Sequence, residues 1–294
     1  MTNIINIGKA CALAGLLVVS ACERKSEVVP ASVEGVSGAS DYSSGGDGWG
    51  GGNGTFYALA NGVQLDKLSS GYQGGVLGSV TITGLQAGET ILGIDFRPAN
   101  KMMYGVGSTS RIYLINPETG QAQMVGTGPF APALNSTNVA FDFNPVVDRI
   151  RIVTDQDQNL RINPNNGVTA GVDGTINPAG ASIAAVAYRN SVAGATSTVL
   201  YDIDPSAGKL YRQDPPNAGT LVEIGSMRLN FTGTKGGFDI APNGYEGMGL
   251  FPIDGVTSLF SVDLRSGYSR VVARYSKNYT AIAIPAQGES GSRW

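Results

Sequence analysis

Histidine is absent from all 294 residues. That removes His-containing triads, imidazole metal ligands and histidine acid–base work together. Cysteine is almost absent: Cys11 and Cys22 both lie near the start, so the rest of the chain can hold no disulfide framework. Charge is sparse as well. Charged residues make up 15% and the net charge is −3, which gives no basic footprint for nucleic acid, and none is expected as a partner. Helical periodicity is missing between Thr55 and Pro285, where no window carries an apolar stripe at helical spacing. The Walker loop, the dinucleotide fingerprint, the GxSxG elbow and the CxxC pair are missing too, and no organic cofactor is expected.

One apolar run is present, Ala10 to Val19, too short to cross a bilayer as a helix. Lys9 precedes it and Val19-Ser20-Ala21-Cys22 follows. This arrangement resembles a bacterial lipoprotein signal. It implies a signal peptide over residues 1–21, cleavage before Cys22 and lipidation of that cysteine. Acyl chains contribute about 0.8 kcal/mol per buried CH₂, so the expected partner is the bilayer, through acylated Cys22. Glu23 resembles the pattern that permits outer-membrane sorting, which places the chain in the cell envelope, facing the periplasm or the surface. Residues 22–54, with Gly-rich stretches such as Gly50-Gly51-Gly52, read as a tether. Residues 286–294 read as a polar tail.

Between these ends, short runs of Val, Ile, Tyr and Phe alternate with Gly, Pro and Asn clusters. A turn recurs: Asn116-Pro117-Glu118-Thr119-Gly120, Asn163 to Gly167, Asp204 to Gly208, and a looser Asp263 to Gly267. A stretched copy is read at Asp66 to Gly71. Asn or Asp closes an Asx-turn, Pro presets the next φ, and Gly takes the positive φ. Four-stranded units follow from this spacing. Residues 55–82 supply three strands, and Ala281 to Ile284 resembles the first strand of a unit. Joining the two completes a fifth unit and closes a ring. The expected fold is all-β: a single five-bladed β-propeller over residues 55–285, closed by the C-terminal strand, and a monomer.

Three segments, Gly93 to Pro98 (GIDFRP), Phe141 to Ile152 (FDFNPVVDRIRI) and Asn159 to Gly167 (NLRINPNNG), resemble an uncharacterised bacterial family, domain of unknown function 4394. The resemblance covers most of residues 55–285 and implies a secreted or surface propeller-like domain. It brings no activity, substrate or catalytic residue. The third unit departs from the pattern: Ala187 and Tyr188 stand where Asp and Phe are expected, and the loop Asn190 to Ser197 is longer.

Several residues could carry chemistry. Asp95, Asp142 and Asp239 occupy equivalent positions on three first strands, which line the channel of a propeller. They could serve a glycosidase or lyase, as one acid and one ionised partner. They could equally hold backbone N–H groups at each strand end. Arg149, Arg151 and Arg161 could bind an anionic ligand such as an acidic sugar, or form ion pairs between blades. Asp155, Asp157 and Asn159 alternate as oxygen ligands do in a Ca²⁺ loop, but Leu160 and Asn166 replace the Gly and Glu of an EF-hand. Asp173-Gly174 reads as a turn, and Asp202, Asp204 and Asp214 as a polar loop cluster. Tyr188, Tyr201 and Tyr211 read as half-buried strand residues or a sugar-stacking platform. The two functions these residues allow are a non-enzymatic binding scaffold for a protein or glycan, and a carbohydrate-active enzyme.

Overall fold

The structure is a computed structural model that describes residues 54–70, 75–242, 244 and 246–285. The expected signal peptide, Cys22, nearly all of the tether and the tail lie outside the described residues. Twenty strands form five antiparallel four-stranded sheets. Blade 1 holds β1 (Thr55–Ala60), β2 (Gln64–Ser69) and β3 (Val76–Thr81). Blade 2 holds β4 (Ile91–Phe96), β5 (Met103–Gly107), β6 (Ile112–Ile115) and β7 (Ala122–Val125). Blade 3 holds β8 (Val139–Asn144), β9 (Arg149–Thr154), β10 (Asn159–Ile162) and β11 (Thr169–Val172). Blade 4 holds β12 (Ala185–Tyr188), β13 (Leu200–Asp204), β14 (Lys209–Gln213) and β15 (Leu221–Ser226). Blade 5 holds β16 (Gly237–Ile240), β17 (Glu246–Ile253), β18 (Val256–Asp263) and β19 (Ser269–Tyr275). The last strand, β20 (Ala281–Ala283), pairs antiparallel with β1 through Tyr57–Ala283 and Leu59–Ala281 and so becomes the inner strand of blade 1. The chain is a five-bladed β-propeller, closed by its C-terminal strand as the spacing predicts.

Strand alternation sends apolar side chains to both faces of each blade, so each blade is glued to two neighbours. Five apolar clusters result, one per junction. Blades 2 and 3, for example, share Tyr104, Val106, Phe141, Phe143, Ile150 and Leu160. The five inner strands β20, β4, β8, β12 and β16 touch in a ring around the axis. Two residues before the aspartate position every inner strand carries Gly or Ala: Gly93, Ala140, Ala185, Gly237 and Ala281. The strands approach too closely for anything larger. The lumen at this level is about 10 Å³, at the lower edge of the roughly 10–15 Å³ one water requires. The axis is therefore a closed waist between two separate mouths.

The recurrent turn sits between the third and outer strands of blades 2, 3 and 5, where Asn116, Asn163 and Asp263 accept amide hydrogens through their side-chain oxygens. Two sequence readings need correction. Asp66 opens no turn: it lies inside β2, fully buried, bound by Ser79, Lys277 and Tyr279. Asp204 to Gly208 is a turn, but it joins β13 to β14, one strand early. The equivalent turn of blade 4 is Asp214 to Gly219. Its Asp214 N–H reaches Thr220 O at 2.8 Å, as Asn116 N–H reaches Gln121 O and Asn163 N–H reaches Val168 O. The doubled Pro215-Pro216 and one extra residue hid it. Each turn glycine presses on the previous blade: a Cβ on Gly120, Gly167, Gly219 or Gly267 would lie 2.1, 2.6, 2.3 or 2.8 Å from the carbonyl oxygen of Thr81, Val125, Thr175 or Gly225.

The waist gives a direct test. A Cβ on Gly237 would lie 2.5 Å from Ile282 N, which only a backbone shift in the closing strand can relieve. Gly237→Ala should cost on the order of 1–3 kcal/mol by urea denaturation. Gly78→Ala on the outer strand, with nothing within 4 Å, should stay within about 0.5 kcal/mol. Equal effects at the two positions would mean that the waist is not tight.

Candidate functional site

Asp95, Asp142 and Asp239 end three inner strands and point at the axis, where one carboxyl oxygen from each lies within 4.8 Å of the others. All three are buried. Each reaches the inner strand of the next blade. Asp95 Oδ2 accepts Phe143 N–H at 2.9 Å, Asp142 Oδ2 accepts Tyr188 N–H, and Asp239 Oδ2 accepts Ile284 N–H at 2.7 Å. Blades 4 and 1 carry Ala187 and Ala283 at this position and offer no acceptor. The amides that would have used them, Ile240 N–H and Phe96 N–H, turn to the carboxylates of their own strands, Asp239 Oδ1 and Asp95 Oδ1, at 2.6 Å each. Three aspartates thus serve one amide in every blade.

The remaining bond of the cluster joins Asp142 to Asp95. Two carboxyl groups can hydrogen-bond only if one is protonated. Burial pushes Asp95 up to about 6, against the bonds from Asp142 and the two amides. Burial, then repulsion from Asp95, raises Asp142 well above the ordinary carboxylate range, which favours a proton within the pair. Burial and the Asp95 charge also raise Asp239.

The two mouths differ. Where the inner strands end, a cavity of about 110 Å³ lies over the cluster, lined by Asp95 and Asp239 and by apolar Phe96, Ile240, Ile284 and Val192. Where they begin, an open hollow of about 230 Å³ is lined by Asn61, Thr90, Thr137, Asn138, Lys235 and Thr280.

The three arginines do not form one anion site. Arg151, 1% exposed, donates to Tyr188 Oη at 3.2 Å, Asn159 Oδ1 at 2.6 Å, Asp173 Oδ2 at 2.7 Å and Asn217 Oδ1 at 2.7 Å. Arg161 grips the same Asp173 with Nε and Nη2, both at 2.8 Å. Arg149 lies apart and donates to the Asp148 carbonyl. The Asp148 carboxylate instead receives a fork from Arg97 of the preceding blade, Nε to Oδ1 at 2.8 Å. The internal anion is therefore Asp173, hidden from sequence inspection inside an Asp-Gly dipeptide. Burial pushes Asp173 up, but the bonds from Arg161 and Arg151 outweigh it and hold the carboxyl below its usual range.

The Asp155, Asp157 and Asn159 set does not converge. Asp155 and Asp157 lie in the turn after β9, whereas Asn159 is buried in β10 with its amide oxygen on Arg151 and its amide hydrogens on the Gly174 and Pro216 carbonyls. A guanidinium already occupies the place a cation would take. The polar cluster expected in a loop is also displaced: Asp202 and Asp204 lie in β13, buried. Both Asp202 carboxyl oxygens lack a hydrogen-bond partner, and burial raises this group well above its usual range. Tyr188 and Tyr201 are core residues, so no stacking platform faces solvent there.

The axial carboxyls make stability pH-dependent. Their folded pKa values lie above the unfolded value of about 3.9, so their contribution is complete below that value and is lost as pH rises through about 6 and beyond. The thermal midpoint should fall from pH 5 to pH 8, and Asp142→Asn, which accepts Tyr188 N–H and donates to Asp95 without titrating, should flatten the decline. A midpoint that climbs over this range would contradict the protonated cluster. Removing the shared anion is a second test. Asp173→Ala strands Arg151 and should cost about 3–5 kcal/mol in urea denaturation, whereas Arg149→Ala should stay within about 0.5 kcal/mol.

No curated protein matches the chain. Among solved structures, hydrazine synthase of Kuenenia stuttgartiensis is 12% identical over 67% of this chain and 52% of its own, with a TM-score of 0.42. A structure described as the Dos1 propeller is 11% identical over 78% of this chain and 64% of its own, with a TM-score of 0.40. The chain thus spans about half to two-thirds of the length of these structures, and likenesses this distant carry nothing about function. A family model described as "Domain of unknown function (DUF4394)" matches residues 64–284, and with its inner-strand motifs placed around one axis the chain belongs to that family.

Proposed function

We propose that this chain is an envelope-anchored lipoprotein whose propeller is a non-enzymatic binding scaffold for a protein or a glycan. The observation that carries the reading is the use of the axial carboxylates. A glycosidase needs one carboxylic acid and one ionised partner that both reach the substrate. Here the corresponding oxygens are bound to backbone amides of five inner strands, within a cluster that is nearly inaccessible. The closed waist supports binding over turnover as well, since it leaves two shallow mouths and no through-channel. A ring that shares apolar clusters at every junction holds its loops rigidly, which suits recognition.

Anchoring is the part of this reading that rests on Cys22 and the tether. Full-length chain should incorporate labelled palmitate and sediment with envelope membranes, and Cys22→Ala should lose both properties without change in the melting of the propeller. Sedimentation of Cys22→Ala with the membranes would refute lipid anchoring. Detergent-solubilised full chain should retain glycans on an array with no change in their mass, whereas cleavage of a retained glycan would establish an enzyme.

A further inference from the structure

We infer that the polar mouth binds a saccharide ring bearing a single anionic group, with Lys235 as its charge partner; this rests on the scaffold reading above. The hollow of about 230 Å³ collects side chains from five stretches of chain: Asn61, Thr90, Thr137 with Asn138, Lys235 and Thr280. At about 30 Å³ per water this is room for about seven or eight waters, or one sugar ring. Hydroxyls and side-chain amides donate and accept alike, which matches a ligand whose own hydroxyls do both.

Charge narrows the ligand further. Among the described residues no carboxylate lines this hollow, so none of them repels an anion there. Lysines elsewhere are committed: Lys67, Lys209 and Lys277 lie 3.6, 2.7 and 2.6 Å from carboxylates. Arg97, Arg151 and Arg161 are paired as well. Lys235 is exposed, has no carboxylate partner among the described residues, and makes one weak contact, Nζ to Thr137 Oγ1 at 3.3 Å. An ammonium in that setting gains most from a charge-assisted bond to an anion.

The hollow is also fixed before any ligand arrives. Asn138 Nδ2 donates to the Thr234 carbonyl at 3.1 Å, which ties the residue before Lys235 to blade 3 across the mouth. Ile91 N–H reaches Gly62 O at 2.8 Å, and Thr280 N–H reaches Leu59 O at 2.8 Å, so the Asn61 wall is pinned to inner strand β4 and the Thr280 wall to β1. Little ordering is left for binding to impose. The acidic sugar for which the sequence offers three arginines is thereby reassigned to a lysine that the sequence does not single out.

The test uses full-length chain in detergent, with saturation-transfer NMR and calorimetry. The probes are glucuronate and glucose 6-phosphate as anionic rings, glucose as the neutral ring, and acetate and inorganic phosphate as anions without a ring. At least one anionic ring should bind about tenfold or more tightly than glucose, and tighter than either free anion, with an affinity that falls as salt rises. Which anionic ring wins separates a carboxylate from a phosphate. Lys235→Gln should erase the advantage over glucose and Lys235→Arg should keep it, both with the wild-type melting temperature. Equal binding of glucose and the anionic rings, tightest binding by a free anion, or no binding by any probe overturns the inference. Retention of array glycans that Lys235→Gln leaves unchanged also overturns it while the scaffold reading stands. Cleavage of a bound sugar refutes the scaffold reading instead.

Discussion

Inner-strand amides at the axis of a propeller have no further strand to bond, and here three carboxylates supply what five blades require. Five N–H groups, of Phe96, Phe143, Tyr188, Ile240 and Ile284, converge where water has little access. An orphaned buried N–H costs on the order of 1–3 kcal/mol, so the acceptors are as necessary to the ring as its apolar junctions. The spacing of the strands follows from the same requirement. Only Gly or Ala two residues earlier lets neighbouring inner strands approach closely enough for a short Asp side chain to reach across a blade boundary. The closed waist is the consequence, and so is the separation of the two mouths.

At the rim the same logic recurs with different groups. The outer turns of blades 2 to 5 each set a glycine against a carbonyl of the preceding blade, and the chain leaving the last blade joins the first through β20 pairing with β1 and through Lys277 and Tyr279 on buried Asp66. Three of the five blade boundaries are thus fastened near the axis by amide–carboxylate bonds, and apolar clusters in the middle and backbone contacts at the rim join the blades as well. Such a frame leaves other chemistry to the mouth residues, of which Lys235 is one charged example.

Much of this was legible in the sequence because it is local or periodic. Alternation in Phe141-Asp142-Phe143 and the Asn-Pro-x-x-Gly turns mark strands and their ends, and the missing strand before Thr55 points to Ala281 to Ile284. What was not legible depends on distance in space. Asp173 looks like half of a turn dipeptide, and only the folded ring brings Arg151 and Arg161 onto it. Asp66 imitates the first residue of a turn, yet its role is set by Lys277 and Tyr279, over two hundred residues away. Asp214 to Gly219 does the job of the turn, but the extra residue breaks the pattern that a spacing search follows. Lys235 carries no sequence signal at all, because a lysine in a Thr-Lys-Gly-Gly loop becomes distinctive only when the surrounding walls prove to lack acids.

Repetition suggests equal environments, and equal environments argue against unequal acids. The axis shows how a small departure from repetition breaks that inference. With five aspartates every amide would use the carboxylate of the blade before it, and all five would be alike. Ala187 and Ala283 remove two acceptors, so Asp95 and Asp239 each take a second amide while Asp142 keeps one and turns its other oxygen to Asp95. Burial and repulsion from Asp95 raise both Asp142, with one amide donor, and Asp239, with two, well above the ordinary carboxylate range. Unequal environments follow here from serving five donors with three acceptors. Protonation also limits the negative charge beneath this mouth, where Phe96, Ile240 and Ile284 lie beside Arg97 and Lys101 over a carboxyl cluster that, fully ionised, would demand water.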